Sequence, residues 1–584
     1  MDSFLSKKTG FLFFTLTLFH LTIFSQKEKV FTTIKEALAD KNQVYILDLS
    51  YKSISELPTA IGDFPNLHTL LAQGNKIEFF PTSIKQLTKL QVLDLSDNII
   101  TTLPKSFGNL SNLKKCFLNK NRLTTLPNSI SNLSKLEVLE LEGNKISNIP
   151  KSIGHLVNLQ TLRLEWNELT SLPETVCSLK NLDSLTVFEN KLVKLPDCIG
   201  TLKNLSVLNL YQNKLTSLPS SIGNLSTLKT LILDRNKLKS LPNEIGNLSN
   251  LVYLKAYNNE LTSLPNTIED LSSLEFLHLH QNQLKQLPNA IGGLHRLKEL
   301  TLSYNQLTTL PHSFGNLIAL ENLNLFGNLI IHLPESFGNL KNLKTLNLKK
   351  NKLASLPSSI GELSQLKLLE LNNNELTELP LSIGKAQQLT TCFLQENKLS
   401  SLPKSIGNLP ALQTLNLSKN RLCILPDSIG NLSVLKALHL SENNLTSLPS
   451  TIGNLKSLEK LILSKNQLTS IPKSIGDLLN LTTFYVDQNK LKNLPFDFSN
   501  LRNLTLLNLN KNQISLLPET IGSLKKLKSL YLSKNNFTSL PESLHQLNKL
   551  TTLYVTRNYL SLKQRELLIR YLPKCNIFSH PQKQ

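Results

Sequence analysis

The chain has 584 residues, six cysteines and a formal net charge of +21, carried mostly by lysine. The lysines are spread without a dense run, so the charge reads as a solubilising surface and argues against a nucleic-acid-binding tract. No cysteine cluster stands at either end, which argues against an array capped by disulfides.

Residues 1–25 read as a secretory signal. Lys7 and Lys8 form a charged start, and Phe11 to Phe24 is an apolar core too short for an ordinary membrane span. An uncleaved signal anchor is the alternative, and it would be the only membrane contact. Residues 26–43 are predicted as an N-terminal helical cap, with Phe31, Ile34 and Leu38 at helical spacing over the open end of the first repeat. Residues 44–561 hold 23 repeats of 23 residues with the consensus LxxLxLxxNxLxxLPxSIGNLxx and no insertion or deletion. The last two leucines of LxLxxN stand two apart and share one face of a short strand, while the residues beside them face solvent. The asparagine, running from Asn75 to Asn558, leaves the strand and needs partners for both its donor and its acceptor if buried. The proline, from Pro58 to Pro541, stops the strand. Glycine in SIG, as at Gly154 and Gly223, is expected to permit a tight turn. Residues 562–584 are predicted as a C-terminal cap: a helix over LKQRELLIRYL, a stop at Pro573 and a last short strand in CNIF. One unit buries too little apolar surface to fold alone, so neighbours must stack and the array is one domain despite its length.

This pattern resembles the leucine-rich-repeat signature. VYILDLS at the start, the LPxSIGNL units and the terminal RYLPKCNIF resemble repeat proteins of Bacteroidetes-like and other bacteria. The units also resemble intracellular Ras-scaffold and plant disease-resistance-like repeat families. The resemblance implies an α/β solenoid, a horseshoe or superhelix with a parallel sheet on its concave face and short helical turns on its convex face. It also implies a protein-binding scaffold without naming a partner.

No phosphate loop, GxSxG, HExxH or CxxC occurs, so neither an enzyme nor a cofactor is expected. His278 and His280 make an HxH pair, but Lys255, Tyr257, Thr301 and Ser303 at matching positions offer no third ligand. The pair therefore reads as surface histidines rather than a metal site. Cys116 and Cys392 stand at strand leucine positions and read as small core residues. Cys177 and Cys198 lie in adjacent turns and can approach, with the unpaired reading preferred. Triplets such as Asn109-Leu110-Ser111 fit the glycosylation pattern but arise from scaffold letters.

Function is sought in the positions the scaffold leaves free. Phe188, Tyr211, Tyr257 and Phe326 follow the last strand leucine within seven consecutive repeats, and Trp166 and Tyr304 stand at the margins of that zone. Arg163, Glu165, Asp234, Arg235, Lys255, His278 and His280 stand among them. The row spans about six strand spacings, roughly 29 Å, which suits a peptide, a protein loop or a short glycan. Glu140, Glu142, Glu165 and Glu189 at its N-terminal edge suit a basic region on the partner. These residues are expected on the solvent side of the sheet, with mutual ring packing as the competing explanation. The reading is a non-enzymatic protein- or peptide-binding scaffold. A surface glycan binder, with Asn209 and Asn324 on sugar hydroxyls, is one alternative. An intracellular signalling scaffold, should residues 1–25 be retained, is the other. A second group, Tyr485, Tyr531 and Tyr554, reads as strand packing.

Overall fold

Each repeat makes the same three moves. A three-residue strand such as Val138–Glu140 buries its middle residue and turns the two flanking residues to the open face. The chain bends through one residue into the asparagine, then runs extended to the proline. From there a short 3-10 turn, such as Asn128–Asn132 after Pro127, buries its isoleucine and leads to the next strand. The computed structural model describes residues 29–495 and 497–580, so the signal-like segment lies outside the described residues.

The chain divides into two units between Leu238 and Lys239. In the first, strands from Ile46–Asp48 to Thr230–Ile232 pair in parallel at one-repeat register, as in Val138↔Thr161, Leu139↔Leu162 and Glu140↔Arg163, and Val30–Phe31 pairs onto the first of them with Val30 opposite Ile46. In the second, strands from Tyr253–Lys255 to Thr552–Tyr554 do the same, and Asn576–Phe578 pairs onto the last of them with Asn576 opposite Thr552. The turns between strands are 3-10 segments. The α-helices among the described residues are Ile34–Leu38 and Leu562–Tyr571. The fold class is thus the expected one, an α/β repeat solenoid with parallel strands on one side and short helical turns on the other.

The asparagine closes the repeat. Asn121 donates from Nδ2 to the carbonyls of Leu95 and Leu118 at 2.9 and 3.1 Å, and its Oδ1 accepts from the Ile100 amide at 2.9 Å. Asn420 repeats this in the second unit with Leu394, Leu417 and Leu399. Each such side chain therefore satisfies backbone groups of its own and the preceding repeat in a buried place. The residue before it takes positive φ in most repeats, for example +51° at Trp166 and +53° at Tyr304. The left-handed region costs an ordinary residue about 1–2 kcal/mol. The asparagine's hydrogen bonds hold the bend against that cost.

Three expectations need correction. First, the N-terminal cap is not a helix from Phe31 to Leu38. Phe31 lies in a strand that extends the sheet, and the helix is the five-residue Ile34–Leu38 with Ala37 as its fully buried residue. Edge pairing satisfies the backbone of Phe31 while burying its ring, which helical spacing alone does not register. Second, the SIG glycine is needed for close approach rather than for turning. A Cβ on Gly154 would lie 2.5 Å from the Thr175 carbonyl oxygen of the next repeat. Third, Cys177 and Cys198 are joined by a disulfide, with Cα atoms 5.9 Å apart. Cys116 and Cys392 are buried, and burial pushes the Cys392 thiol up to about 12.

Candidate ligand-binding faces

Free positions in each repeat carry the third strand residue, the residue two further on, and the positive-φ residue after that. Successive repeats superpose these side chains at about one strand spacing, about 4.8 Å. A column on the open face is therefore a ladder of side chains in contact, and both units carry one.

On the first unit, four charged groups converge. Arg163 meets Glu140 at 3.6 Å and Glu165 at 3.0 Å, and also pairs with Glu142. Glu165 is only 1% exposed and Arg163 is half-buried. One guanidinium serving three carboxylates leaves negative charge in excess once all three are ionised, and burial holds the Glu165 carboxyl above the usual carboxylate range. Burial pushes the Glu140 carboxyl up to about 7, opposed by Arg163 and reinforced by Glu142, Glu165 and Asp94. Beside this cluster the rings form an edge-to-face chain, Trp166 to Phe188 at 5.1 Å and Phe188 to Tyr211 at 6.4 Å. Arg235 lies over the Tyr211 ring at 5.5 Å and donates to Gln212, which itself donates to Glu189. Trp166 is 49% exposed, while Phe188 is only 7% exposed because its neighbours cover it.

On the second unit, the Tyr257 and His280 rings stack at 4.2 Å, and Tyr304 meets Phe326 edge-on at 4.8 Å. Lys349 lies 5.6 Å over the Phe326 ring. His278 pairs with Glu299 at 3.0 Å, and its hydrogen bond holds the Glu299 carboxyl below the usual carboxylate range. Lys255 on the neighbouring strand adds to that lowering. Tyr253 and Phe276 form a further stacked pair at 4.4 Å.

The solvent-side expectation is therefore corrected at several residues. Glu165, Phe188, Asp234 and His278 are buried, and Arg163, Tyr211, Lys255, Tyr257, His280 and Phe326 are half-buried. Trp166, Arg235 and Tyr304 are exposed. The reason is the ladder itself: a large side chain at a free position is covered by its counterpart one repeat away. Asn209 and Asn324, expected on sugar hydroxyls, accept the backbone amides of Tyr211 and Phe326. The histidines are not paired on one open surface, because His278 is buried against Glu299 and His280 packs on Tyr257. Glu299, Tyr253 and Phe276 escaped the sequence reading. Their signal was present one column earlier, at the first strand residue, where Tyr253 and Phe276 stand in adjacent repeats of a column otherwise without aromatics.

A parallel sheet closed by 3-10 turns, with variable side chains laddered on one face, defines the repeat-solenoid class. Within it the chain belongs to the leucine-rich-repeat family. A family model described as "Leucine-rich repeat region" matches residues 112–214, 206–275, 243–330, 314–392 and 382–467. Two related models, "Leucine rich repeat" and "Leucine Rich Repeat", match 456–514 with 515–560, and 89–110. Among solved structures, a plant peptide hormone receptor, RGFR1, in complex with RGF2 is 30% identical with a TM-score of 0.71, covering 96% of this chain and 97% of that one. The Arabidopsis receptor kinase HAESA, in complex with the peptide hormone IDA and the co-receptor SERK1, is 29% identical with a TM-score of 0.60, covering 89% and 87%. YopM from Yersinia enterocolitica is 25% identical with a TM-score of 0.51, covering 82% and 93%. No curated protein matches the sequence.

Proposed function

We propose that this protein is a non-enzymatic scaffold that binds a peptide or protein segment on the strand face of its first unit. The carrying observation is the juxtaposition of three carboxylates on one arginine, Glu140, Glu142 and Glu165 around Arg163, with the half-exposed Trp166 next to them. Excess negative charge suits a lysine or arginine of the partner, and the indole supplies an apolar anchor beside it. The similarity to two receptors solved with peptide hormones supports a peptide as the ligand class. The Tyr257, Tyr304 and Phe326 face of the second unit is read as a further contact surface in its own right.

The compartment is read as extracellular or cell-surface. The Cys177–Cys198 disulfide supports an oxidising environment, and no helix of the described residues is long and apolar enough to cross a membrane. The test is a screen of the full chain against basic–aromatic peptides, followed by the Trp166→Ala and Glu142→Gln variants. A tenfold or greater loss of affinity in both, with the array still folded, is expected. Unchanged affinity in both removes the assignment.

A further inference from the structure

The last repeats of the second unit carry a second polar surface that the peptide-binding reading does not use. The strand Ser529–Tyr531 pairs with Thr552–Tyr554, which pairs with Asn576–Phe578. Their third residues form an aromatic ladder. Tyr531 stacks on Tyr554 at 5.1 Å with 10° between rings, and Tyr554 stacks on Phe578 at 4.3 Å with 6°. Next to this ladder Thr556 donates its hydroxyl to Ser533 at 2.9 Å. Beyond it, at the positive-φ bends, stand Lys511, Lys534 and Arg557, all exposed.

Charge separates this surface from the rest of the column. In the four repeats from Glu396 to Lys465 the same bend position alternates in sign and pairs, Lys419 with Glu396 at 2.8 Å and Lys465 with Glu442 at 3.2 Å. The strand-and-bend segments 505–511, 528–534, 551–557 and 575–580 carry Lys511, Lys528, Lys534 and Arg557 and not one Asp or Glu. The mutual proximity of these cations is strong enough that Arg557 and Lys511 hold the Lys534 ammonium below the usual lysine range. A run of like charges kept side by side on a folded face is unfavourable until an anion lies across it.

We propose that this face, from Lys511 to Phe578, binds a linear anionic polysaccharide, with an acidic sugar group set against each successive repeat. The rings lie nearly parallel and cover one another, so a ligand meets their edges, the Tyr531 and Tyr554 hydroxyls and, at the end of the stack, the exposed Phe578. Ring edges carry partial positive charge and phenols donate hydrogen bonds, so both favour anionic oxygen. Nucleic acid is disfavoured because successive bases need separate open ring faces, and stacked rings leave none between them. An acidic peptide is the rival occupant, but side chains alternate between opposite sides of an extended backbone, so only every second carboxylate faces the cations. A chain of pyranose rings advances by close to one strand spacing per sugar. This site is independent of the first unit's peptide face and stands or falls separately from it.

The test titrates the full chain with polygalacturonate and dextran sulfate oligomers, alongside poly-glutamate and single-stranded DNA of equal charge. Four proteins are compared: the native chain, K534Q/R557Q, Y531F/Y554F, and K214Q/K237Q, which removes the same charge from exposed lysines of the first unit. Far-UV circular dichroism confirms the fold of each. The expected result is salt-sensitive binding to at least one polysaccharide in preference to poly-glutamate and DNA. Affinity should fall at least about tenfold in K534Q/R557Q, severalfold in Y531F/Y554F, and stay unchanged in K214Q/K237Q. Absence of polysaccharide binding overturns the proposal. So does equal loss in the two charge variants, or tighter binding of poly-glutamate or DNA, which would assign the face to another class of partner.

Discussion

Cys177 occupies the repeat position held elsewhere by Gly154 and Gly200, and Cys198 occupies, one repeat later, the position held by Ser152 and Ser221. At Gly154 an added Cβ would also lie 2.8 Å from the Cβ of Thr175, the residue one repeat on from Ser152. A side chain at the glycine position is therefore aimed at the serine position of the next repeat. Two cysteines placed there meet as a matter of scaffold geometry, and the bond replaces a clash with a link.

The disulfide closes a loop with a sequence separation of 21. Loop closure of that length stabilises by about 3 kcal/mol. C198S should lose this and leave the Cys177 side chain against its neighbour. C177G/C198S restores the repeat's own packing and should recover part of the loss. Denaturant unfolding followed by Trp166 fluorescence measures both, and equal stability of C198S and the native chain would contradict the account.

Asn121→Ala removes the hydrogen bonds to the Leu95, Leu118 and Asn119 carbonyls and strands the buried Ile100 amide. A loss of about 2–4 kcal/mol is expected. The exposed Asn128→Ala should change stability by less than about 0.5 kcal/mol. The pair is read by urea unfolding of the full chain.

Burial raises the folded-state Glu140 carboxyl from 4.5 to about 7. A group whose folded pKa is raised binds more protons when folded. Its contribution is therefore present below pH 4.5 and is lost as pH rises to about 7. Stability should fall over that window, by on the order of 1–3 kcal/mol, and E140Q should flatten the profile. Binding of a basic peptide at this cluster should run the other way, strengthening as Glu140 ionises. Thermal unfolding and peptide titration between pH 4 and 8 test the two signs together.

Trp166 is the chain's one tryptophan and is half-exposed on the first unit's strand face. Its emission should be accessible to iodide in the free protein and should shift to the blue and become protected when a peptide saturates the site. A bound peptide that leaves the spectrum and the quenching unchanged would place binding elsewhere.

Thiol labelling should rank the four free cysteines by burial. Cys423 is exposed and should react first. Cys575, partly buried and with its thiol pushed up to about 11, should follow slowly. Cys116 and Cys392 should react only on unfolding. Mass spectrometry of timed alkylation gives the order.

The sequence by itself determined the repeat. A period of 23 with leucine, asparagine and proline in fixed places dictates a strand, a bend and a turn, and identical short strands can bury their leucines only by stacking in parallel. The asparagine's need for partners was legible for the same reason, because Leu95, Ile100 and Leu118 lie within the 23-residue period or one period away. Tertiary structure alone decided what each free side chain touches. Phe188, Glu165 and His278 stand at positions that alternation turns away from the core, yet Phe188 packs on Trp166 and His278 on Glu299, each from a neighbouring repeat, and Glu165 is held by Arg163 of its own. Alternation is a property of one strand. Exposure on a laddered face depends on the sizes and charges of side chains 23 residues apart, taken together. The same dependence hid the Cys177–Cys198 bond and the role of Gly154, both of which are contacts between neighbouring turns rather than features of one.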